Sequence, residues 1–170
     1  MRIIRPDYAD ANMAHREPST ERGPDVIAPP PLIYSVPLFT GLLLDRVLPL
    51  PRLPRGARLA GLPLLAAGAG LIGWFASTMI RARTPIDIRE VPTTLVEDGP
   101  FGLTRNPAYL GMALAYSGIS LLAGGRWSLL LLPGVVAAID RGVIQREEPY
   151  LELLFGNGYR DYRARVRRWV

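Results

Sequence analysis

LAGLPLLAAGAGLIGWFASTMI, residues 59–80, runs for 22 positions without a charged side chain. A helix needs about 20 mostly apolar residues to cross a bilayer, so this stretch reads as a membrane span. Upstream, residues 32–50 (LIYSVPLFTGLLLDRVLPL) are apolar over a similar length, their only charges being the adjacent Asp45 and Arg46. Pro49, Pro51 and Pro54 then alternate with Arg52, Arg55 and Arg58, a stiff basic connector that cannot be helical throughout. Downstream, residues 81–107 are polar and punctuated by Pro85, Pro92, Gly99 and Pro100, which marks a functional loop rather than a plain linker. Residues 108–123 are apolar again, a Gly-Gly-Arg turn follows at 124–126, and residues 127–144 are apolar except for Asp140 and Arg141. The expected fold is all-α: a polytopic membrane protein of about four transmembrane helices, the last two forming a tight hairpin.

The flanks have a different character. Residues 1–28 hold Pro, Arg, Asp and Glu without an apolar run, which argues against a secretory leader and for a disordered or surface-lying tail reaching to about residue 31. Residues 145–170 alternate charges with Tyr, Leu, Val and Trp. Their last thirteen positions read as an amphipathic interfacial helix, with Tyr159, Tyr162 and Trp169 at headgroup level and five arginines facing anionic lipid. The chain thus divides into a tail (1–31), two transmembrane helices (32–80), a cytoplasmic loop (81–107), a transmembrane hairpin (108–144) and a cytoplasmic C-terminal helix (145–170). Gly111, Ala113, Ala115 and Gly118 either let transmembrane helices approach closely or reflect the general frequency of Gly in such helices.

All twenty basic residues are arginine, there is no Lys or Cys, and His15 is the single histidine of 170 residues. This excludes Schiff-base chemistry, a P-loop lysine, disulfides, a thiol nucleophile and a zinc ribbon, and no metal site is expected. Chemistry falls to Arg, Asp, Glu, Asn, Tyr, Ser and the backbone. With four spans, fifteen of the twenty arginines lie on the side that holds both termini and the 81–107 loop. Both termini are therefore expected to be cytoplasmic, in the cytoplasmic membrane of a bacterium, with the bilayer as partner and no nucleic acid.

Two segments are chemically dense. Thirteen residues from Trp127 to Ile139 make about 20 Å of helix against a hydrocarbon core of roughly 30 Å, so Asp140 and Arg141 fall inside or at the edge of the membrane. An ionisable residue there faces a cavity or a partner, or snorkels to the interface. On a continuous α-helix Asp140, Ile144, Glu147 and Leu151 would share one face, and Arg141, Gln145 and Glu148 the next. That cluster is either a solvated helix end or a binding site for an ammonium or diol. In LVEDGPFGLTRNPAYLG, residues 95–111, Gly99-Pro100 forces a turn, and Pro107 suits the first turn of a helix while keeping Asn106 out of the α region. The helix start then offers backbone N–H groups and a positive dipole end beside Arg105, an arrangement that favours an anion.

GPFGLTRNPAYLG and, some forty residues on, REEPYLELLFGNGYRDYRARVRRW together resemble the paired signatures of the isoprenylcysteine carboxyl methyltransferase and phospholipid methyltransferase family of integral-membrane enzymes. The resemblance is continuous from about Thr84 onward. It implies methyl transfer from S-adenosylmethionine, and the burial of the site among membrane helices points to an apolar or amphipathic acceptor dissolved in the membrane: an isoprenyl or lipid carboxylate, an amine or a small thiol. It also implies that the 81–107 loop binds the cofactor and that the C-terminal helix completes the site. Carried onto this sequence, the cofactor contacts are Thr93, Thr94, Leu95, Val96, Gly99, Phe101, Arg105, Asn106, Pro107, Ala108, Tyr109, Glu147 and Glu148. The chemistry agrees: the cofactor's ammonium wants a carboxylate, its carboxylate wants an arginine or a helix start, and its adenine wants apolar and aromatic walls.

The chain departs from the family pattern at two positions. Asn106 stands where the eukaryotic pattern has His, and an amide cannot titrate near neutral pH, so it suits cofactor positioning better than general-base work. Val143 stands where family members carry the arginine they use toward substrate, which leaves Arg105, Arg141 and Arg146 as candidates for orienting substrate and favours a small lipid or thiol. The competing readings are a membrane NADPH-dependent reductase related to sterol reductases, and a non-enzymatic four-helix membrane protein. Oligomeric state is not encoded in any motif.

Overall fold

Helix after helix in this chain starts where a proline or glycine permits it and ends where another forbids continuation. The computed structural model describes residues 3–4, 24–51 and 53–170, the first pair as backbone. His15, Arg52 and most of the expected N-terminal tail lie outside the described residues. Helix α1 (Pro30–Val47) opens on two prolines, whose missing N–H groups cost nothing in a first turn, and stops ahead of Pro49. A short α2 (Arg55–Leu59) leads into α3 (Gly61–Arg81), which covers the uncharged stretch. Beyond it the chain carries a two-residue strand (Leu95–Val96) and a tight turn of helix (Gly99–Gly102), begun by Gly99 at φ 65°. The strand pairs antiparallel with Ile3–Ile4, Ile3 opposite Val96 and Ile4 opposite Leu95. Helix α4 (Pro107–Ala123) turns through Gly124, at φ 75°, into α5 (Arg126–Ile139). A π turn (Asp140–Ile144) connects α5 to α6 (Gln145–Phe155), and Gly156 at φ 53° separates α6 from α7 (Asn157–Arg165).

The fold is mostly helical. Among the described residues, two helical runs, Arg55–Arg81 and Arg126–Phe155, are long and apolar enough to cross a membrane. α4 is apolar but shorter.

The chain forms two compact units. One comprises Ile27–Gly73 and Ala108–Val143. Here α3 and α4 meet through glycines: a Cβ on Gly68 would lie 2.5 Å from the Ala115 nitrogen, and one on Gly118 2.5 Å from the Leu65 nitrogen. α1 and α5 meet where Gly41 backs onto Ser128, whose hydroxyl donates to the Leu38 carbonyl at 3.2 Å. Buried Tyr34 and Tyr116 donate to the carbonyls of Tyr109 (2.9 Å) and Ser128 (2.8 Å), so their polar tips are satisfied inside an apolar packing. Asp45 accepts from the Trp127 N–H at 3.2 Å and faces Arg126 at 3.6 Å. The adjacent charges of the first apolar stretch are thus partly neutralised at the start of α5, an acid at a helix N-terminus. Outward-facing Val36, Phe39 and Leu43 on α1 and Leu62 on α3 are more than half exposed. A surface so apolar calls for a partner phase other than water.

Among the described residues, the second unit comprises 3–4, 24–26, Trp74–Pro107 and Ile144–Val170. Its core is Leu95, Phe155, Tyr159 and Tyr162, with Phe101, Leu151, Leu154 and Val166 against it.

Two expectations are corrected here. The tyrosines of α7 do not lie at a headgroup surface: Tyr159 and Tyr162 are 2% and 3% exposed, because the core of this unit takes the aromatic face of the helix. And the π turn adds a residue to the helical repeat between Asp140 and Ile144, so the face alignment derived for a continuous α-helix does not hold across it. Val143 and Ile144, neighbours in sequence, are both fully buried.

Candidate active site

Residues 104–106 have no regular partner of their own, since Pro107 keeps the residue before it out of the helix. Their bonds go instead to the segment after α7. The Arg105 N–H donates to the Arg167 carbonyl at 2.9 Å. The Thr104 hydroxyl and the Asn106 side-chain amide both donate to the Arg168 carbonyl, at 2.9 and 3.0 Å. Asn106 also donates its backbone N–H to the Thr104 hydroxyl at 3.2 Å.

Both terminal nitrogens of the Arg105 guanidinium are taken up by the same arrangement. One terminal nitrogen donates to the carbonyls of Arg163 and Val166, each at 3.0 Å, and the other to Glu148 Oε1 at 2.7 Å. Arg168 closes on Glu148 from its other side, Nη2 to Oε2 at 2.6 Å and Nε to Oε1 at 3.1 Å. The side chains of Arg105 and Glu148 are each only 10% exposed, that of Arg168 30%. One carboxylate between two guanidiniums carries a net positive charge, and charge-assisted bonds at these distances offset the desolvation of the buried partners.

The loop before this knot is pinned separately. Thr93 donates its N–H to the Thr84 hydroxyl at 3.2 Å and its own hydroxyl to the Arg83 carbonyl at 3.1 Å. Phe101 packs tilted on Phe75 at 5.7 Å between ring centres, and its carbonyl accepts from Tyr162 at 2.8 Å. Burial pushes the Tyr162 phenol well above its ordinary range, as it does for Tyr159, so both stay protonated and can donate. Glu97, 8% exposed, pairs with Arg165 at 2.6 Å through Oε2.

The phospholipid methyltransferase family matches this chain over residues 57–158, more than half its length. The chain belongs to that family. Over 72 residues it is 36% identical to the protein-S-isoprenylcysteine O-methyltransferase of Schizosaccharomyces pombe, a match that covers 42% of this chain and 30% of the relative. Over 62 residues it is 37% identical to an uncharacterized protein of Haemophilus influenzae, covering 36% of this chain and 98% of that one. The match thus spans less than a third of the length of the first of these relatives. No solved structure gives a significant match.

Against the family motif, the structure gathers Thr93, Thr94, Leu95, Val96, Gly99, Phe101, Arg105, Asn106, Pro107, Glu147 and Glu148 into one compact unit, together with Arg146. Leu95, Val96, Asn106, Pro107 and Glu148 are buried there, and Glu147 is half-buried. Ala108, Tyr109 and Arg141 belong to the other unit, where the Tyr109 carbonyl serves Tyr34 and Arg141 is exposed. Arg146 donates to the Asp25 carbonyl at 2.7 Å. Reading the family motif by sequence alone missed Thr104, Glu97 and Arg168. Arg168 is one of five arginines among the last thirteen residues, and no spacing distinguishes it from its neighbours.

Proposed function

We propose that this member of the phospholipid methyltransferase family transfers a methyl group from S-adenosylmethionine to an apolar or amphipathic acceptor dissolved in the membrane. In this reading α1, α3, α4 and α5 cross the bilayer, and both termini and the 81–107 loop face the cytoplasm. The observation that carries it is the convergence of the loop residues 93–101, the motif at 105–107 and the Glu147-Glu148 pair within one unit.

The donor set fits the cofactor. Two buried polar atoms of this unit, Arg105 Nε and Glu97 Oε1, have no hydrogen-bond partner among the described residues. A buried guanidinium N–H suits a ligand carboxylate, and a buried carboxylate oxygen suits an ammonium or a ribose hydroxyl. The Phe75–Phe101 pair offers an apolar wall for a purine. Both Glu148 oxygens accept from arginines, so in this reading Glu148 shapes the site and Glu147, the acid the family resemblance assigns to the cofactor, meets the ligand ammonium. When bound, the cofactor supplies a sulfonium methyl group that a nucleophilic atom of the acceptor displaces. The protein's share is alignment and exclusion of water. The Asn106 amide holds the Arg168 carbonyl and cannot take up a proton near neutral pH, so proton removal from the acceptor is not its task. With Val143 where other members carry arginine, a small lipid or thiol is the favoured acceptor over a protein C-terminus.

Calorimetry with S-adenosylmethionine and its demethylated product tests this in detergent-purified protein. Wild type should bind both with a Kd of about micromolar order, and Glu147→Gln should weaken binding at least about tenfold, by loss of one charge-assisted contact. Absence of binding in folded wild-type protein would overturn the reading, and a nicotinamide cofactor would be the next titrant.

A further inference from the structure

Among the described residues, the hydrogen bonds that tie residues 104–106 to the C-terminal segment end on carbonyls between residues 163 and 168; besides these, Arg105 pairs with Glu148 and the Thr104 N–H donates to the Pro100 carbonyl in the turn just before. Those carbonyls sit at or beyond the end of α7, where the chain leaves helical geometry at Val166. Two side chains anchor that segment: Val166 packs against the core of the unit, and Arg168 makes the ion pair with Glu148. We infer that Arg168 is a positioning residue: by clamping Glu148 it sets the path of the 166–168 backbone, and that backbone in turn holds the 104–106 motif in the shape that binds ligand. The inference rests on the cofactor reading above only for its affinity arm.

The physical argument is one of preorganisation. A segment with no helix or strand to define it samples many conformations unless other groups specify each donor, and ordering it at the moment of binding subtracts from affinity. Here the Arg105 N–H, the Thr104 hydroxyl, the Asn106 amide and one Arg105 terminal nitrogen are all specified before any ligand arrives. Glu148 joins the two halves, because Arg105 from the motif and Arg168 from the tail share its carboxylate.

The test is Arg168→Ala in full-length protein, read by two measurements: amide hydrogen exchange over residues 104–106 without ligand, and S-adenosylmethionine affinity by calorimetry well below the unfolding transition. The expected result is faster exchange confined to 104–106 and the tail, and a Kd raised by about tenfold or more, with gel filtration and far-UV dichroism unchanged. Arg168→Lys should recover part of both, since an ammonium still reaches one oxygen of Glu148. A tether that merely adds stability would lower the melting temperature and leave affinity and local exchange as in wild type, and that result overturns the proposal. If Arg168→Ala does not fold, Arg168→Lys and Arg168→Gln carry the same two readings. If wild type binds no S-adenosylmethionine, the cofactor reading fails, while the exchange measurement still decides the role of Arg168.

Discussion

Glu148→Ala should destabilise the protein by about 3 kcal/mol, the lower end of what removing one partner of a buried ion pair costs. The loss comes less from the pair than from what it leaves behind. Arg105, 10% exposed, would keep its charge with only carbonyl oxygens around it, and Arg168 would lose both its bonds to the carboxylate. Partial hydration of Arg168, 30% exposed, keeps the figure below the maximum. Denaturant or mixed-micelle unfolding of the purified variant measures it. Arg160→Ala supplies the contrast: its partner Glu152 is also held by Arg163 at 3.0 Å, and the Arg160 side chain is 61% exposed, so stability should stay as in wild type. Equal losses in the two variants would contradict the buried clamp.

The other large effect concerns the α3–α4 seam. Gly68→Leu should cost about 3 kcal/mol or prevent the protein from accumulating, because the new side chain would meet backbone rather than flexible atoms. Its Cβ alone would lie 2.5 Å from the Ala115 nitrogen and 2.6 Å from the Gly111 carbonyl oxygen. A Cβ on Gly70, two residues along the same helix, would have nothing within 4 Å, so Gly70→Leu should express and unfold like wild type. Yield of monodisperse protein in detergent, followed by thermal unfolding, separates the two. Equal behaviour of both variants would show that the helices do not approach as closely as described.

These two sites mark where sequence reading reaches and where it stops. The helices were legible because uncharged runs and proline or glycine punctuation are local signals: residues 59–80 announce α3, and the Gly-Gly turn before Arg126 announces the step from α4 to α5. Gly111 and Gly118 were visible as small residues, but their partners Gly68 and Gly61 lie some forty to sixty positions upstream, and nothing local pairs them. The charges were the least legible. Arg105 looked like a free guanidinium beside a helix start, and the family motif offered Glu147 with Glu148 as one acidic feature. Helical geometry already sets the two on different faces, since adjacent residues on a helix point about 100° apart, but only the fold shows that Glu148 is spent on two arginines from distant segments. The π turn was equally invisible, because one additional residue per turn leaves no compositional trace. Tyr159 and Tyr162 misled for a related reason: an amphipathic pattern states that one face is apolar without saying whether lipid or protein covers it.

The tail grips residues 104–106 through main-chain oxygens, and of its side chains between 166 and 168 only Arg168 makes an ion pair among those described. A saturation scan would therefore find position 167, whose side chain is exposed, far more tolerant of altered side chains than of a one-residue deletion or a proline, which change the path of the chain, whereas Val166 also packs against the core of this unit. What the segment contributes thus resides in its length and trajectory more than in its letters, and a reading of side chains alone passes over it.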